Sequence, residues 1–350
     1  MKKKSFLVCG GSGFIGSNYI RSLLKDNYKV INLDLLTYAA SSKNLSDFDK
    51  NKNYKFIKGD IGDKKKVKFI LEKFKPDAVI NFAAETHVDR SIDNPSTFIN
   101  TNILGVYNLL NNSLEYWNKI KKNKKKFKFI QISTDEVYGS INKGKSKELS
   151  LTLPSSPYSS SKASADHLIF SFFKTYNFPF IIARSSNNYG PYQFPEKFIP
   201  LILLNAIEEK KLPIYGDGKH VRNWLFVKDN VEALYQILLK GKIGDIYNIG
   251  GNDELSNIKT VQCICKILDN IMPRKNKKKY HSLINYIEDR PGHDRRYSLD
   301  STKIKKATGW KPKIDINEGL EITINWYLNN KDWWKKIRKF KYKGERLGKK

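Results

Sequence analysis

Four residues near the middle of the chain have the types and spacing that an oxidation followed by an elimination would use. Tyr158 and Lys162 are four positions apart, so a helix would carry the phenol and the ammonium on one face. The cation is expected to favour phenolate and to lower the tyrosine pKa toward neutrality, which gives a base for a hydroxyl whose carbon loses hydride. Upstream, Asp135 and Glu136 add an acid and a second base.

The carboxyl pair could instead be a solvated turn at the end of a strand. Thr134 directly precedes the pair, and Tyr158 and Lys162 follow it, so a catalytic interpretation is favoured. In a partly desolvated site, desolvation and the repulsion between two neighbouring carboxylates raise a carboxyl pKa. One of the two carboxyls then stays protonated near neutral pH.

A glycine-rich turn near the N-terminus predicts a dinucleotide site. Residues 10–16 read Gly-Gly-Ser-Gly-Phe-Ile-Gly, between a short apolar run and an amphipathic segment. Glycines there permit a tight turn and let backbone approach a pyrophosphate at the helix N-terminus. Asp34, about 20 residues on, would accept hydrogen bonds from ribose hydroxyls and repel a 2′-phosphate, which favours NAD over NADP. A glycine turn that binds nothing is the alternative.

The predicted cofactor contacts extend beyond this turn. Asp60 ends the third predicted strand, where a side chain can reach adenine, although an ordinary turn aspartate is an alternative there. The contacts expected from the turn and its neighbours are Gly10, Gly11, Ser12, Gly13, Phe14, Ile15, Gly16, Asp34 and Asp60.

The elements that must position these residues alternate between strand and helix in the first half of the chain, as in a parallel doubly wound sheet. Buried parallel strands are short continuous apolar runs. The pattern predicts strands at 5–9, 29–33, 54–58, 78–82, 128–133 and 179–184, and helices near 13–26, 64–74, 97–116 and 159–176.

After about residue 187 the pattern loosens, and prolines interrupt it. Helices are predicted near 198–209, 228–240, 258–270 and 317–329, and strands near 213–215 and 245–249. The prediction is an α/β protein with a doubly wound nucleotide-binding domain over 1–186, a smaller α/β substrate-binding lobe over 187–334 and a basic tail over 335–350. One element near 222–250 could rejoin the first domain.

Net charge is the most unusual bulk property, since 64 basic and 35 acidic residues give +29. Such a surplus fits a nucleic-acid binder or a lysine-rich solvated surface. The lysines cluster at 64–66, 121–126 and 275–279, where loops or helix ends are expected, and no nucleic-acid motif accompanies them. We therefore expect no specific nucleic-acid partner. The tail is either a mobile arm or a segment that packs on the fold.

The sequence predicts no membrane span, signal peptide or disulfide framework. No apolar run approaches the roughly 20 residues that a span needs, and the N-terminal residues lack the apolar stretch of a signal peptide. Cys9, Cys263 and Cys265 are interpreted as reduced packing residues, and no metal is expected. A cytoplasmic globular protein is the expectation.

Seven sequence blocks, spread over most of the chain, match one family. They are 10–17, 83–91 (Ala-Ala-Glu-Thr-His-Val-Asp-Arg-Ser), 133–139 (Ser-Thr-Asp-Glu-Val-Tyr-Gly), 157–166 (Pro-Tyr-Ser-Ser-Ser-Lys-Ala-Ser-Ala-Asp), 187–197, 216–224 and 289–297. They resemble the extended short-chain dehydrogenase/reductases and, within them, the dTDP-glucose 4,6-dehydratases. The resemblance is expected to cover about 5–335 and to leave the tail outside. It implies a Rossmann-type fold and tightly bound NAD that is regenerated in each cycle.

The pair at 135–136 discriminates among the relatives. Related epimerases usually carry small or neutral residues there, and related decarboxylases and GDP-mannose dehydratases resemble Thr-Ser-Glu, whereas Asp135-Glu136 resembles the glucose 4,6-dehydratase signature. Two departures are Cys9, where threonine is frequent, and Gln193, where histidine is frequent. Neither departure is expected to change the function.

The resemblance assigns catalytic roles. Tyr158 would take the proton of the glucose 4-hydroxyl, Thr134 would orient the same oxygen, and Lys162 would hold the phenolate and the nicotinamide ribose. Glu136 would then remove the C5 proton, and protonated Asp135 would protonate the departing 6-hydroxyl. Further cofactor contacts on this basis are Ile61, Ala83, Tyr158 and Lys162.

The resemblance also implies a substrate site and a dimer. The substrate contacts are Glu85, Thr86, His87, Asn187, Glu196, Lys197, Arg222, Asn257, Arg290 and His293. The two arginines are the first candidates for the diphosphate, because a guanidinium donates two bonds at once; His87 could be only structural. Apolar stripes, with Leu104, Tyr107 and Leu110 in one helix and Leu168, Phe172 and Phe173 in another, should cover the sheet, while the other faces pair two subunits through a four-helix bundle.

Four functions stay open from the sequence. The first is dehydration of dTDP-glucose for deoxysugar, often rhamnose, synthesis, and the second is the same reaction on UDP-glucose. A UDP-sugar 4-epimerase is the third, which the carboxyl pair argues against. A catalytically silent NAD-bound scaffold that binds a polyanion through the basic surface is the fourth.

Overall fold

A parallel sheet of seven strands forms the centre of the protein in the computed structural model, which describes residues 3–120 and 124–348. The lysines at 121–123, part of one predicted cluster, lie outside these described residues. The strands of the described chain are β1 (Ser5–Cys9), β2 (Lys29–Asp34), β3 (Tyr54–Lys58), β4 (Ala78–Asn81), β5 (Lys128–Thr134), β6 (Phe180–Ser185), β7 (Asn187–Tyr189), β8 (Leu212–Tyr215), β9 (Val221–Phe226), β10 (Asp245–Ile249), β11 (Asp253–Ser256) and β12 (Ile284–Ile287).

The strand order of the central sheet is β10-β6-β5-β4-β1-β2-β3, and every neighbouring pair is parallel. The chain starts in the interior of the sheet at β1, builds outward through β2 and β3, and then returns to the other side through β4. The reversal between β1 and β4 opens a crevice at the carboxyl ends of these strands, where ligands bind in folds of this type. The predicted doubly wound α/β fold is confirmed, and β10 pairs with β6 although it follows the second lobe's first elements.

Helices cover both faces of this sheet. They are α1 (Phe14–Lys25), α2 (Lys64–Phe74), α3 (Val88–Asp93), α4 (Pro95–Ile99), α5 (Val106–Lys119), α6 (Pro157–Tyr176), α7 (Phe198–Ile207), α8 (Val227–Lys240), α9 (Asn257–Ile271), α10 (Thr302–Thr308), α11 (Ile316–Asn329) and α12 (Lys331–Phe340). Alternate β1 residues point to opposite faces, so Phe6 packs with α1 and α8, whereas Leu7 packs with α2, α5 and α6. Because helices pack on both faces of the sheet, the crevice at the strand ends lies between two packed helical layers.

The helix predicted over 97–116 is not continuous, because a π-helical turn, Asn100–Gly105, separates α4 from α5. Beyond the turn, Leu110 is fully buried against the sheet, as expected. Leu104 and Tyr107 are 56% and 49% exposed, so the expectation that they cover the sheet is wrong. In α6 Phe172 is buried, while its predicted partners in the stripe are partly buried.

A second lobe has its own core, built on two small sheets. One has the order β11-β9-β7 and the other pairs β12 with β8. Helices α7, α9, α11 and α12 pack around them, with Trp224, Tyr327 and Trp334 buried at the centre. The predicted basic tail is not a mobile arm, since α12 continues to Phe340 and Tyr342 beyond it is buried at 3% exposure.

The cysteines and the helix lengths bear on two further expectations. All three cysteines are free, and Cys9 and Cys265 are buried in apolar cores, as packing residues are. Within the described residues, no helix combines the length and the apolar character that crossing a membrane requires.

Candidate active site

The turn after β1 forms a cradle in which two glycines cannot be replaced without displacing backbone. Gly10 has φ of +72°, and a Cβ there would lie 2.5 Å from the backbone nitrogen of Ala83. A Cβ on Gly16 would lie 2.4 Å from the carbonyl oxygen of Gly10. Gly13 is the N-cap of α1, and among the described residues no side chain caps this helix. The first N–H groups of α1 are therefore available to a pyrophosphate.

Asp34 ends β2 with both carboxyl oxygens oriented by backbone. It accepts hydrogen bonds from the N–H of Ser12 at 2.8 Å and from the N–H of Leu36 at 2.7 Å. Burial raises the pKa of Asp34, and these two bonds oppose the shift. The carboxylate that is predicted to bind ribose is thus tied to the glycine turn itself.

One cavity of about 500 Å³ joins this cradle to the predicted catalytic residues. The predicted site residues in its wall are Gly10, Gly13, Phe14, Ile15, Gly16, Asp34, Asp60, Ile61, Ala83, Glu85, Thr86, Thr134, Asp135, Glu136, Tyr158, Lys162, Asn187 and Lys197. The volume is in the range of natural ligand pockets. Asn187 Oδ1 is buried in this wall with no hydrogen-bond partner among the described residues, which suits a bound polar ligand. The residues present fit NAD.

Other predicted residues lie behind or beside the wall. Gly11 packs on the side chains of Asn32 and Ile20, and a Cβ would come within 2.4 Å of each. Ser12 Oγ accepts a hydrogen bond from Asn32 at 3.0 Å. Both residues support the turn from its far side. Asp60 is exposed and also accepts from the N–H of Gly62 at 2.7 Å, so it caps a turn as well as bordering the cavity.

Thr134, the last residue of β5, connects the predicted catalytic groups. Its hydroxyl donates to Asp135 Oδ1 at 3.2 Å and accepts from the N–H of Glu136 at 3.3 Å. A side-chain hydrogen bond also joins Thr134 to Tyr158. In helix α6 that tyrosine lies within a capping box, in which Ser156 and Ser159 bond reciprocally. The start of α6 and the end of β5 are thereby locked side by side.

The tyrosine pKa differs from the expectation of a phenol tuned toward neutrality. Burial raises the pKa of Tyr158, and the Glu136 carboxylate raises it further. Lys162 is also buried, and its ammonium donates to the carbonyl of Ile132 at 2.7 Å. Burial lowers the pKa of Lys162 to about 8, and Asp166 opposes this shift. The prediction from spacing is wrong for this arrangement, because desolvation and the charges of nearby carboxyls, Glu136 first, raise the pKa of the phenol.

The two adjacent carboxyls are both buried but differ in their surroundings. Burial, then the charge of Glu136, raises the pKa of Asp135 to about 8. Burial also raises the pKa of Glu136, but the charges of Arg290, Arg222 and Lys197 lower it. Near neutral pH, Asp135 keeps its proton while the cations favour the ionised form of Glu136, which is the division of labour between an acid and a base.

The cations beside Glu136 are anchored by protein groups. Arg290 forms an ion pair with Asp89 through a short contact between Nη1 and Oδ1. Lys197 Nζ donates to the carbonyl of Thr86 at 2.7 Å. The guanidinium of Arg222 lies 4.6 Å from the ring centre of Tyr297. These cations, of which Arg222 is buried and the other two are partly buried, form a region in which a diphosphate would be neutralised.

Three other predicted substrate contacts, Glu196, His87 and Asn257, lie in contact with other groups of the protein. Glu196 is buried, and its carboxylate accepts from Arg90 at 2.9 Å and from Tyr38 at 2.9 Å, so both oxygens are already bonded. His87 lies 3.4 Å from the carbonyl of Glu196, and burial lowers its pKa to about 3. Asn257 starts α9 and donates its N–H to the carbonyl of His220 at 2.9 Å.

His293 belongs to a cluster that the sequence did not reveal. Its Nδ1 lies 2.6 Å from Asp289, and His220 Nε2 lies 3.2 Å from the other oxygen of the same carboxylate. The two imidazoles stack with centres 3.7 Å apart and an angle of 10°. Such parallel rings cannot both direct their nitrogen lone pairs at one metal ion lying in both ring planes, so we interpret the group as a hydrogen-bonded clamp on Asp289.

Asn102 is a further site residue that sequence reasoning missed. It lies in the π-helical turn, where its side chain accepts from the N–H of Glu85 at 2.9 Å and donates to the carbonyl of the same residue at 3.0 Å. It also donates to Ser161 Oγ at 2.9 Å in α6. Asn102 thus ties the loop after β4 to the catalytic helix. π-helical turns often occur at functional sites, but spacing alone does not announce them.

Comparison with known proteins places this geometry in a family. The family model described as GDP-mannose 4,6 dehydratase matches residues 7–323. A dTDP-glucose 4,6-dehydratase of Xanthomonas campestris pv. campestris is 46% identical over 98% of this chain and 99% of its own. Because this match spans 98% of the chain, it extends beyond residue 335, and the expectation that the tail lies outside the resemblance is wrong.

Solved structures give the same result. The dTDP-glucose 4,6-dehydratase of Bacillus anthracis, crystallised in complex with NAD, is 42% identical with a TM-score of 0.85, covering 95% of this chain and 99% of its own. DesIV of Streptomyces venezuelae, a dTDP-glucose 4,6-dehydratase with NAD bound, is 39% identical with a TM-score of 0.87 and the same coverage. Shared fold and near-complete sequence coverage together confirm the resemblance, and the chain belongs to the family of dTDP-glucose 4,6-dehydratases.

Proposed function

We propose that this protein removes water from dTDP-glucose to give dTDP-4-keto-6-deoxyglucose, with NAD as a resident cofactor. The observation that carries the proposal is the position of the Asp135–Glu136 pair beside Tyr158 in the cavity that also contains the glycine cradle. Relatives that cover the whole chain are dTDP-glucose 4,6-dehydratases, and two of them hold NAD. The product is a starting point for 6-deoxysugars, such as rhamnose.

NAD, when bound, accepts a hydride from C4 of the sugar and later returns it to C6, so it is not consumed. Gly10, Gly13 and Gly16 would hold its pyrophosphate at the N-terminus of α1, and Asp34 would hold the adenosine ribose. Lys162, whose ammonium is fixed by the Ile132 carbonyl, would hold the nicotinamide ribose.

Tyr158 is proposed to begin the reaction by taking the proton of the 4-hydroxyl as a phenolate, and Thr134 would hold the phenol oxygen. Burial raises the pKa of Tyr158, so this role depends on the ammonium of Lys162 and on the positive charge that the nicotinamide of bound NAD would supply, because both favour the phenolate. The resulting 4-ketone acidifies the C5 hydrogen, which Glu136 removes as a base. Asp135, protonated because its pKa is raised to about 8, gives its proton to the 6-hydroxyl, which leaves as water. Return of the proton to C5 and of hydride to C6 completes a dehydration with no net redox change.

The diphosphate and nucleoside would lie on the cationic side of Glu136. Arg222 and Arg290 are the first candidates for the phosphates, with Lys197 beside them. The other proposed substrate contacts are Glu85, Thr86, His87, Asn187, Asn257 and His293. We assign Glu196 an indirect role, because Arg90 and Tyr38 already bond its carboxylate.

A homodimer is proposed through the exposed faces of α5 and α6. Leu104 in the π-helical turn and Tyr107 in α5 form an apolar patch at the start of the first helix. On α6, the small residues Ser160 and Ser164 are exposed one turn apart, which allows close helix packing.

For the domains, we propose that residues 187–334 bind substrate and residues 1–186 bind NAD. Three unpaired thiols support the cytoplasm as the compartment.

The proposal is tested by incubating the purified protein with dTDP-glucose or UDP-glucose, without added cofactor. Alkali-induced ultraviolet absorbance reports a 4-keto-6-deoxy sugar, and mass spectrometry reports the loss of water. Product from dTDP-glucose supports the proposal and shows that NAD co-purifies. Product mainly from UDP-glucose would keep the chemistry and change the substrate. No product from either, even with NAD added, would reject the dehydratase function and leave epimerase and scaffold roles to be tested.

A further inference from the structure

The C-terminal segment beyond α12 folds back over the loop that follows β2. Tyr342 is buried against Phe194 and Ile337, and Tyr38 and Ala39 of that loop pack against the same cluster. The loop also forms part of the cofactor cavity, since Thr37, Ala39 and Ala40 lie in its wall next to Asp34. We define residues 35–40 as the cofactor loop. The tail therefore covers the outer side of a loop whose inner side faces the dinucleotide site.

Lys341 makes the most specific contact between the tail and the cofactor loop. Its ammonium donates to the carbonyls of Ala40 at 2.8 Å and Tyr38 at 3.1 Å, with Thr37 at 3.5 Å. Three carbonyl oxygens that converge on one point repel one another unless a cation lies between them. An ammonium can serve all of them, because it has three donors.

The cofactor loop needs such support because its backbone is strained. Leu36 adopts φ of +58°, a left-handed conformation that is unfavourable for a residue with a branched side chain. The same residue donates its N–H to Asp34 Oδ1 at 2.7 Å. The strained turn therefore helps to orient the ribose-binding carboxylate, and the Lys341 contacts hold the turn from the opposite side. Burial lowers the pKa of Lys341, and the charge of Asp34 opposes this shift.

Two more contacts fix the segment at either end of Lys341. Before it, Trp333 donates to Asn44 Oδ1 at 2.8 Å, and Asn44 in turn donates to the carbonyl of Ser12 at 2.9 Å in the glycine turn. After it, Arg346 donates to the carbonyl of Glu288 at 3.1 Å in the second lobe. The C-terminal residues are thus tied to the glycine turn before Lys341 and to the second lobe after it.

We propose that Lys341 is a positioning residue of the cofactor site, which holds the cofactor loop in its binding conformation and so slows the loss of NAD. This inference rests on the proposed function, because NAD is the ligand concerned. Lys341 acts through the loop backbone and Asp34, and the sugar-side groups are not involved. The expected consequence is a change in NAD retention with little change in the handling of dTDP-glucose.

The test uses the full-length holoenzyme and the variants Lys341→Met, Lys341→Arg and Lys343→Met. Methionine keeps the length of the stem and removes the charge. Lys343 is exposed two positions further on, so its variant controls for the loss of one positive charge from the tail. The measured quantity is the rate at which bound NAD exchanges with radiolabelled NAD, independently of turnover.

We expect Lys341→Met to exchange NAD roughly tenfold faster than the wild type, which corresponds to about 1.4 kcal/mol. Lys343→Met should stay within about twofold of the wild type, as for surface substitutions. Lys341→Arg should exchange more slowly than Lys341→Met, because it retains the charge. With saturating NAD, kcat and the KM for dTDP-glucose should stay within about twofold in all three.

Equal exchange rates in Lys341→Met and Lys343→Met would overturn the inference. A raised KM for dTDP-glucose with unchanged NAD exchange would overturn it as well, since Lys341 would then act on the substrate side. Equal rates in Lys341→Arg and Lys341→Met would contradict the role of the charge. A wild-type protein that retains no NAD would instead reject NAD as a resident cofactor, which is part of the proposed function, so the two failures are distinguishable.

Discussion

Asp135 and Glu136 are neighbours in the chain, but the charge of Arg222 acts on both, whereas those of Arg290 and Lys197 also act on Glu136. Burial raises the pKa of Glu136, and these three cations oppose the shift. Asp135 Oδ2 is buried without a hydrogen-bond partner among the described residues, and Oδ1 accepts from Thr134. This difference in surroundings supports the proposed roles of Asp135 as proton donor and Glu136 as proton acceptor.

A pH dependence of turnover follows from the raised pKa of Asp135. The acid must carry its proton to release water, and with a pKa of about 8 it is protonated below that pH and ionised above it. We therefore expect kcat for dTDP-glucose to fall as the pH rises through about 8. Asp135→Asn should lower kcat by roughly 10²-fold or more and remove this alkaline limb. A variant that kept the limb would show that another group titrates there.

Replacement of the proposed base should separate the C5 step from cofactor binding. Glu136→Gln keeps the shape of the side chain but cannot take a proton from C5. Exchange of the C5 hydrogen with deuterated water should slow by roughly 10²-fold or more, while the NAD content of the purified protein stays at the wild-type level. Turnover close to that of the wild type would remove Glu136 from this role.

Tyr158→Phe should abolish the first step. The variant lacks the phenol oxygen, which Thr134 orients and which accepts the 4-hydroxyl proton in the proposed mechanism. With C4-deuterated dTDP-glucose, transfer of the label to C6 should fall by roughly 10³-fold. Ser159→Ala in the capping box is the matched control, because it disturbs the helix start and leaves the phenol in place. Similar losses in both variants would point to damage of the helix.

The strands of the central sheet and the glycine turn of the site could be predicted from local sequence patterns. The six strands predicted in the first half appear within one residue of their expected ends, because buried parallel strands are continuous apolar runs with polar ends. The glycine turn was recognisable for a similar reason, since few residue types permit the close contacts at Gly10 and Gly16.

Features set by tertiary contacts were not predictable in this way. The π-helical turn at Asn100–Gly105 interrupts a segment with helical periodicity throughout, and its function depends on contacts with residues distant in the chain. The short strands β7 and β11 are pieces of three and four residues whose pairing with β9 defines them. The tyrosine pKa was mispredicted because spacing revealed the ammonium of Lys162 but not the depth of burial.

Arg290 should contribute more to substrate binding than a nearby surface arginine. It is partly buried, and its pair with Asp89 fixes its direction beside Glu136. Arg290→Ala should raise the KM for dTDP-glucose by roughly 10- to 100-fold, in keeping with lost bonds to a charged group. Arg295 pairs with Asp217 at the surface with both side chains about half exposed, so Arg295→Ala should change KM little. The comparison requires KM and kcat for both variants, and equal effects would contradict the assignment.

The proposed dimer can be tested at the exposed face formed by the π-helical turn and α5. Leu104 in this turn is 56% exposed, and a carboxylate at this position would have to be desolvated between packed helices. Leu104→Glu should therefore shift the protein from dimer to monomer in sedimentation analysis. Leu239 on α8, 41% exposed on the opposite layer of the sheet, provides the matched control. Leu239→Glu should leave the dimer intact, and a wild-type monomer at micromolar concentration would reject the dimer itself.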